Sequence, residues 1–389
     1  MSVNEGAEIV RLAARGDGVT ADGRHVAMAA PGDRVAPDGA VTPGSHHADP
    51  PCRHFPECGG CQLQHVDDAA YRDYLQDRVV AALAAQNMAA SDIREPHLSP
   101  PLSRRRASLK AAGGTIGFNA EKSHRIVDMR ECHILRTELF ALVAPLRRLL
   151  NKRASASLTL ADQGVDLLIE GIAVEGLART EAMGTFAAEH RLARLAVDDG
   201  YGAQTLWEPE PVTVTLGGVA VPLPHGAFLQ ATADGEAALV AAVREAVGEA
   251  RLVADLFAGL GTFALALAGR IYAAEGARDA ALALKNAANA AGRTIFVDHR
   301  DLFRRPLDAA ELNRFEAVIL DPPRAGAREQ VEALAASQVP AVAMVSCNPA
   351  TFARDAKALA DGGYRLDWVR PVGQFRWSTH VELAARFSR

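Results

Sequence analysis

The sequence predicts an α/β protein. Its C-terminal part reads as a doubly wound parallel sheet, preceded by a mixed, β-rich central region and a small N-terminal β module. Three observations carry this. From Leu252 onward, short apolar runs alternate with Ala-rich stretches of helical period, as strand–helix–strand units do. Between about 98 and 225 the apolar runs are short and lie between turns, which suits a largely antiparallel sheet. Up to about residue 45, Gly16-Asp17-Gly18, Asp22-Gly23 and Pro31-Gly32-Asp33 punctuate brief alternations such as Ala7 to Leu12.

Taken in order, the first module has room for four short strands. Next comes Pro51-Cys52-Arg53-His54-Phe55-Pro56-Glu57-Cys58-Gly59-Gly60-Cys61, a C-x5-C-x2-C group whose two glycines let the backbone wrap tightly. Four thiolates suit a structural zinc or an iron–sulfur cluster, and Cys132 is the candidate fourth ligand. Spacing alone leans to zinc, and His54 and His65 keep a mixed-ligand site open. A helix is predicted from Asp67 to about Ala90, with Tyr71, Tyr74, Leu75, Val79 and Leu83 on one face. The central strands centre on Ala107–Leu109, Thr115–Phe118, Leu167–Ile169 and Val212–Leu216, with one helix over Thr137 to Leu150. Arg104-Arg105-Arg106 with Lys110, and Arg147, Arg148, Lys152 and Arg153, are candidate phosphate-contacting patches. A helix over Gly235 to about Gly248 leads to strands at Leu252–Leu256, Arg270–Ala274, Thr294–Val297, Ala317–Leu320 and Ala341–Ser346.

Bulk properties bound the function. With 389 residues, 49% hydrophobic and 23% charged, the chain has room for two or three domains and the composition of a soluble protein. Leu256 to Gly269, its longest nearly uncharged apolar stretch, is too short to span a bilayer, and Met1 to Glu5 does not resemble a signal peptide. The expected location is the cytoplasm. A net charge of −5 argues against indiscriminate nucleic-acid binding and leaves local basic surfaces open.

The chemistry-bearing motifs fall at the predicted strand ends. In Asp255-Leu256-Phe257-Ala258-Gly259-Leu260-Gly261-Thr262-Phe263, the two glycines permit a tight turn and close approach of a ligand to the backbone. The third glycine of a dinucleotide fingerprint is replaced by Ala264. Glu275, ending the second strand, can accept ribose hydroxyls, and Asp301, after the third, can reach an adenine; this set suits S-adenosylmethionine better than NAD. Asp321-Pro322-Pro323 ends the fourth strand. Val345-Ser346-Cys347-Asn348-Pro349 ends the fifth, where Cys347 is placed as a covalent nucleophile; a small core cysteine is the alternative. Along His380 to Phe387, alternation puts His380 and Glu382 on one face of a last strand.

These motifs, with Phe228-Leu229-Gln230, Leu320 to Gly326, Ser346 to Asp355 and His380-Val381-Glu382, resemble the S-adenosylmethionine-dependent RNA uracil-5-methyltransferases, specifically their iron–sulfur members acting on 23S ribosomal RNA. The likeness runs from about Ile9 to the C-terminus. It implies a Rossmann-like methyltransferase sheet and a [4Fe–4S] cluster held by Cys52, Cys58, Cys61 and Cys132. It also implies donor contacts from Gln230, Phe257, Glu275, Asp301 and Asp321, with Cys347 as nucleophile and Glu382 as general base. The N-terminal module resembles a TRAM domain in truncated form, since Ala36 to Pro50 is short and holds no Lys or Arg. The expected division is a TRAM-like module over 1–49, an iron–sulfur and RNA-binding domain over 50–66 and 98–225, and a catalytic domain over 67–97 and 226–389.

The implied chemistry explains the residue types. Carbon 5 of uracil is a weak nucleophile; a thiolate added at C6 creates an enolate that can attack a sulfonium methyl. A base must then remove the C5 proton, with His380 as candidate orienter of Glu382. Three rivals stand beside this reading. They are a tRNA uracil-5-methyltransferase, an amino-group methyltransferase needing no thiol, and a non-catalytic iron–sulfur RNA-binding protein.

Overall fold

The structure is a computed structural model and describes residues 6–389. Met1 to Glu5, on which the signal-peptide reading rests, lie outside the described residues. Ala7–Leu12, Gly18–Thr20, His25–Val26, Arg34–Val35 and Val41–Thr42 form a five-stranded antiparallel sheet, one strand more than predicted. Its core is small, built on Ile9, Ala29 and Val35. The buried Asp33 carboxylate compensates by accepting from the backbone of Ala30 (2.8 Å) and Gly44 (2.7 Å) and pairing with Nδ1 of His47 at 2.7 Å.

The central sheet has six strands in the order Gln204–Trp207, Arg194–Asp198, Gly164–Glu170, Ala154–Ala161, Arg106–Ala112, Thr115–Gly117. It is antiparallel except where Gly164–Glu170 lies parallel to Arg194–Asp198, joined by the helix Leu177–Glu189. The helix predicted over Thr137 to Leu150 is two short ones, Thr137–Phe140 and Val143–Leu149. Pro145 explains the break: a continuous helix would need its missing N–H to reach the Ala141 carbonyl, whereas in a new first turn no such donor is required.

The third sheet positions the site. Its eight strands run Ile295–His299, Arg270–Glu275, Leu252–Leu256, Ala317–Leu320, Ala341–Ser346, Glu382–Ser388, Arg365–Gly373, His97–Leu98. The first five are mutually parallel, and the strand order reverses between Leu252–Leu256 and Ala317–Leu320. Ligands bind such sheets in the crevice beyond the carboxyl ends at this reversal. Glu382–Ser388 inserts antiparallel between two neighbours, so Leu383, Ala384, Ala385 and Phe387 are all buried and the expected two-faced alternation is absent. The helix Asp68–Ala84 starts at Asp67, whose side chain accepts from Ala70 N at 2.8 Å, and ends earlier than predicted. Tyr71, Tyr74, Leu75, Val79 and Leu83 are buried as its periodicity requires, each burial worth about 1.5–3 kcal/mol. The helix packs on Pro349–Asp361 and Arg365–Gly373 and so belongs physically to the third sheet. Among the described residues no helix is long and apolar enough to cross a membrane.

Candidate active site

At the strand-order reversal lies a cleft of about 790 Å³. Gln230, Phe257, Glu275, Asp321, Cys347 and Glu382, separated by up to 152 positions in sequence (382 − 230), all line it. Asp301 does not. It lies beyond the crevice, half-exposed, where its carboxylate accepts from Phe303 N at 3.0 Å and faces Arg304.

The first turn is built by Asp255, whose Oδ2 accepts from Ala264 N at 2.9 Å and ties the strand end to the segment after the glycines. Gly261 has φ +93°, and a Cβ there would collide with Leu284, so glycine is required on two counts. Glu275 accepts from Gly259 N (2.8 Å) and Ala277 N (2.6 Å), which fixes an acidic tip beside the turn. Asp255 is wholly buried, and its Oδ1 has no partner among the described residues. Burial, with the carboxylates of Asp321 and Glu275, pushes it up to about 8. Burial raises Asp321 to about 7.

Cys347 follows the strand Ala341–Ser346. Asn348 caps the helix Pro349–Asp361 by accepting from Ala350 N at 3.1 Å, while its Nδ2 donates to Arg324 O at 3.3 Å. Thr351 Oγ1 donates to the same carbonyl at 3.2 Å, so the Cys-Asn-Pro turn and the Asp-Pro-Pro-Arg loop are locked together. Burial, then the Glu382 and Asp321 carboxylates, push the Cys347 thiol up to about 11. Glu382 is only 6% exposed and is pushed up to about 8 by burial and Asp321, with the Gln374 amide and Arg106 pulling the other way.

Gln374 was not anticipated. Its Nε2 donates to Gln230 Oε1 at 2.7 Å and its Oε1 accepts from Ala231 N at 2.9 Å, so one amide links the Gln230 segment to Glu382. His380 lines the cleft, but the last strand begins only at Glu382, and among the described residues no hydrogen bond joins the two. Its ring lies 5.6 Å from that of Phe375, and burial with Arg324, Arg104 and Arg78 holds its pKa down. The orienting role predicted for His380 therefore passes to Gln374.

The triple-arginine run also differs from expectation. Arg105 Nε donates to Gln230 O (3.0 Å) and its Nη2 to Glu236 (2.6 Å), while Arg106 Nη1 donates to Leu229 O (2.7 Å). The Arg106 guanidinium lies 4.7 Å from the ring of Phe228, which is 64% exposed at the cleft mouth. These arginines brace the Phe228–Gln230 segment instead of forming a free phosphate surface. In the second basic group Arg147 is held by Asp128 (2.9 Å), whereas Arg148, Lys152 and Arg153 are exposed.

A separate narrow cavity is lined by Cys52, Cys58, Cys61 and Cys132. The four thiols are close neighbours: burial and the other three cysteines push Cys61 up to about 12, although the Gln64 side chain opposes this. His65 is excluded, being buried between Phe55 (5.8 Å) and His47 (6.2 Å) and absent from the cavity lining. His54 reaches the cavity, but its Nε2 accepts from Arg130 N at 2.9 Å. Among the described residues no three His, Cys, Asp or Glu side chains are grouped closely enough to hold a metal ion.

A family profile described as tRNA (Uracil-5-)-methyltransferase matches residues 221–389, which contain every cleft residue named above except the arginine braces. An RNA methyltransferase of Zymomonas mobilis is 53% identical over 98% of this chain and 99% of its own. A 23S rRNA (uracil(1939)-C(5))-methyltransferase of Chromohalobacter salexigens is 33% identical over 99% of this chain and 89% of its own. This chain belongs to the RNA uracil-5-methyltransferase family. The methyltransferase also shares its fold with the Pyrococcus abyssi tRNA (uracil-54, C5)-methyltransferase, solved with S-adenosyl-L-homocysteine. The TM-score is 0.71 over 98% of this chain and 100% of that one, at 22% identity. The chain is thus an S-adenosylmethionine-dependent RNA methyltransferase, and its Rossmann-like sheet is the fold the sequence predicted.

Proposed function

We propose that the protein methylates C5 of a uridine in ribosomal RNA, with Cys347 as the nucleophile at C6 and Glu382 as the base that takes the C5 proton. The observation that carries this is the convergence of Cys347, Asp321 and Glu382 in one cleft, close enough that the two carboxylates raise the thiol. S-adenosylmethionine fits the same cleft, since Asp255, Glu275 and Asp321 offer a cationic ligand acidic partners and the glycine turn lets it approach the backbone. When bound, it supplies an electrophilic methyl on a sulfonium. Gln230, Phe257, Glu275 and Asp321 are the proposed contacts; Asp301, outside the crevice, would act only through the adjoining backbone at Gly276.

Adding the thiolate to C6 makes C5 nucleophilic, and methylation leaves C5 carrying both methyl and proton. Glu382, first residue of a buried strand, takes that proton, the C5–C6 double bond re-forms, and the thiolate leaves. The target base must leave its stack to reach the cleft, at a cost of a few kcal/mol. Ribosomal RNA is favoured over tRNA by full-length similarity to the rRNA-modifying relative.

The four cysteines have the donor set for a [4Fe–4S] cluster and meet at one cavity, so we assign that group to Cys52, Cys58, Cys61 and Cys132. Protein purified without air is expected to contain about four irons, as a four-cysteine cubane requires; stoichiometric zinc would overturn the assignment. The catalytic reading is tested with 5-fluorouridine RNA, whose fluorine cannot leave as a cation. A denaturation-resistant adduct through Cys347 is expected, and Cys347→Ala should abolish both adduct and methyl transfer. Mapping 5-methyluridine in rRNA and tRNA from cells with and without the protein decides between the two substrates.

A further inference from the structure

Arg104 stands in the wall between the cysteine cavity and the catalytic cleft. Its guanidinium lies 6.0 Å from the ring centre of Phe118, which lines the cysteine cavity, and 5.3 Å from that of Phe375, which lines the cleft. The backbone holds it there from both sides. Arg104 N donates to Ile134 O at 2.9 Å, two residues past Cys132, and its own carbonyl accepts from Arg136 N at 2.9 Å. The neighbouring Arg105 N donates to Ala231 O at 2.9 Å, next to Gln230.

The Arg104 side chain is poorly partnered for a buried cation. Its Nε donates to Arg106 O at 3.0 Å, and among the described residues no carboxylate forms an ion pair with it. A buried guanidinium without a counter-charge is costly, so it persists where an anion meets it. The groups near it that can carry negative charge are the sulfurs of Cys61 and Cys132.

We propose that Arg104 is the counter-ion of an anionic iron–sulfur centre held by Cys52, Cys58, Cys61 and Cys132. This rests on the cluster assignment above. Four thiolates outweigh the positive charge of the iron–sulfur core, so the centre is a net anion, and accepting one electron from a reductant makes it more negative. A fixed cation beside two of the four sulfurs stabilises the centre and favours its reduced form, because nearby charge and hydrogen bonding set cluster potentials.

The test uses the full-length protein, purified without air as wild type, Arg104→Gln and Arg104→Lys. Iron content is measured together with the midpoint potential, by dithionite titration followed by electron paramagnetic resonance, and the rate of absorbance bleaching in air. Arg104→Gln is expected to shift the midpoint to a more negative potential and to bleach several-fold faster, with Arg104→Lys restoring most of both. Loss of iron in Arg104→Gln but not in Arg104→Lys supports the same role. Wild-type potential and bleaching in an iron-replete Arg104→Gln protein overturns it, as does equal loss of iron in both variants, which would make the planar packing and not the charge decisive. Absence of iron from the wild-type protein overturns the cluster assignment itself.

Discussion

A thiol that adds to a pyrimidine must first lose its proton, yet burial and two neighbouring carboxylates push Cys347 up to about 11. The same proximity pushes Glu382 up to about 8. Each group is thus more acidic when the other is uncharged, and a cation bound against Asp321 would ease both. For Glu382 to act as base it must be ionised, so its competent fraction rises with pH through about 8. Glu382→Gln removes one charge that raises the thiol. Iodoacetamide alkylation of Cys347 should then begin at lower pH than in the wild type, while methylated, undischarged adduct accumulates on RNA. An unshifted alkylation profile would place Glu382 too far from the thiol for the proposed role. The residue types and their strand-end positions were legible in sequence, but their charge states were not, because these depend on groups that only the fold brings together.

At the scale of elements, Gln374 shows what remained hidden. It follows the strand Arg365–Gly373, whose Arg365, Asp367, Arg370 and Pro371 break any alternation a reader could detect. The parallel strands were legible because each is an uninterrupted apolar run between turn signals. By contrast, the antiparallel insertion of Glu382–Ser388 is fixed by tertiary pairing, which moved His380 off the strand. The arginine run misled for the same reason: Arg105 meets Gln230 across 125 positions of sequence. The cysteine spacing identified four candidate ligands, and only packing removed His65. Gln374→Ala would leave Gln230 Oε1 and Ala231 N without their partners, each buried loss costing about 1–3 kcal/mol. A lower melting temperature and a raised KM for RNA are expected, with the alkylation rate of Cys347 close to wild type. Unchanged KM would show that the Phe228–Gln230 segment is held by Arg105 and Arg106 alone.

Across the whole molecule, the buried acids of the cleft make stability depend on pH and on ligand charge. Asp255 and Glu382 are raised to about 8 and Asp321 to about 7, against ordinary values near 4. Between about pH 4 and 8 the unfolded chain therefore holds fewer protons at these positions than the folded one. Stability from these groups falls as pH rises through that window and levels off above it. A cation in the cleft favours the ionised carboxylates, so its binding releases protons and strengthens with pH. S-adenosylmethionine, a sulfonium, should raise the melting temperature more at pH 8 than at pH 6, each measured against the ligand-free protein at the same pH. S-adenosylhomocysteine, whose sulfur is uncharged, should show a smaller difference between the two. Melting curves of the full-length protein with each ligand at both pH values measure this directly. Equal pH dependence for the two ligands would mean that the carboxylates answer to the ligand's shape and not to its sulfonium charge.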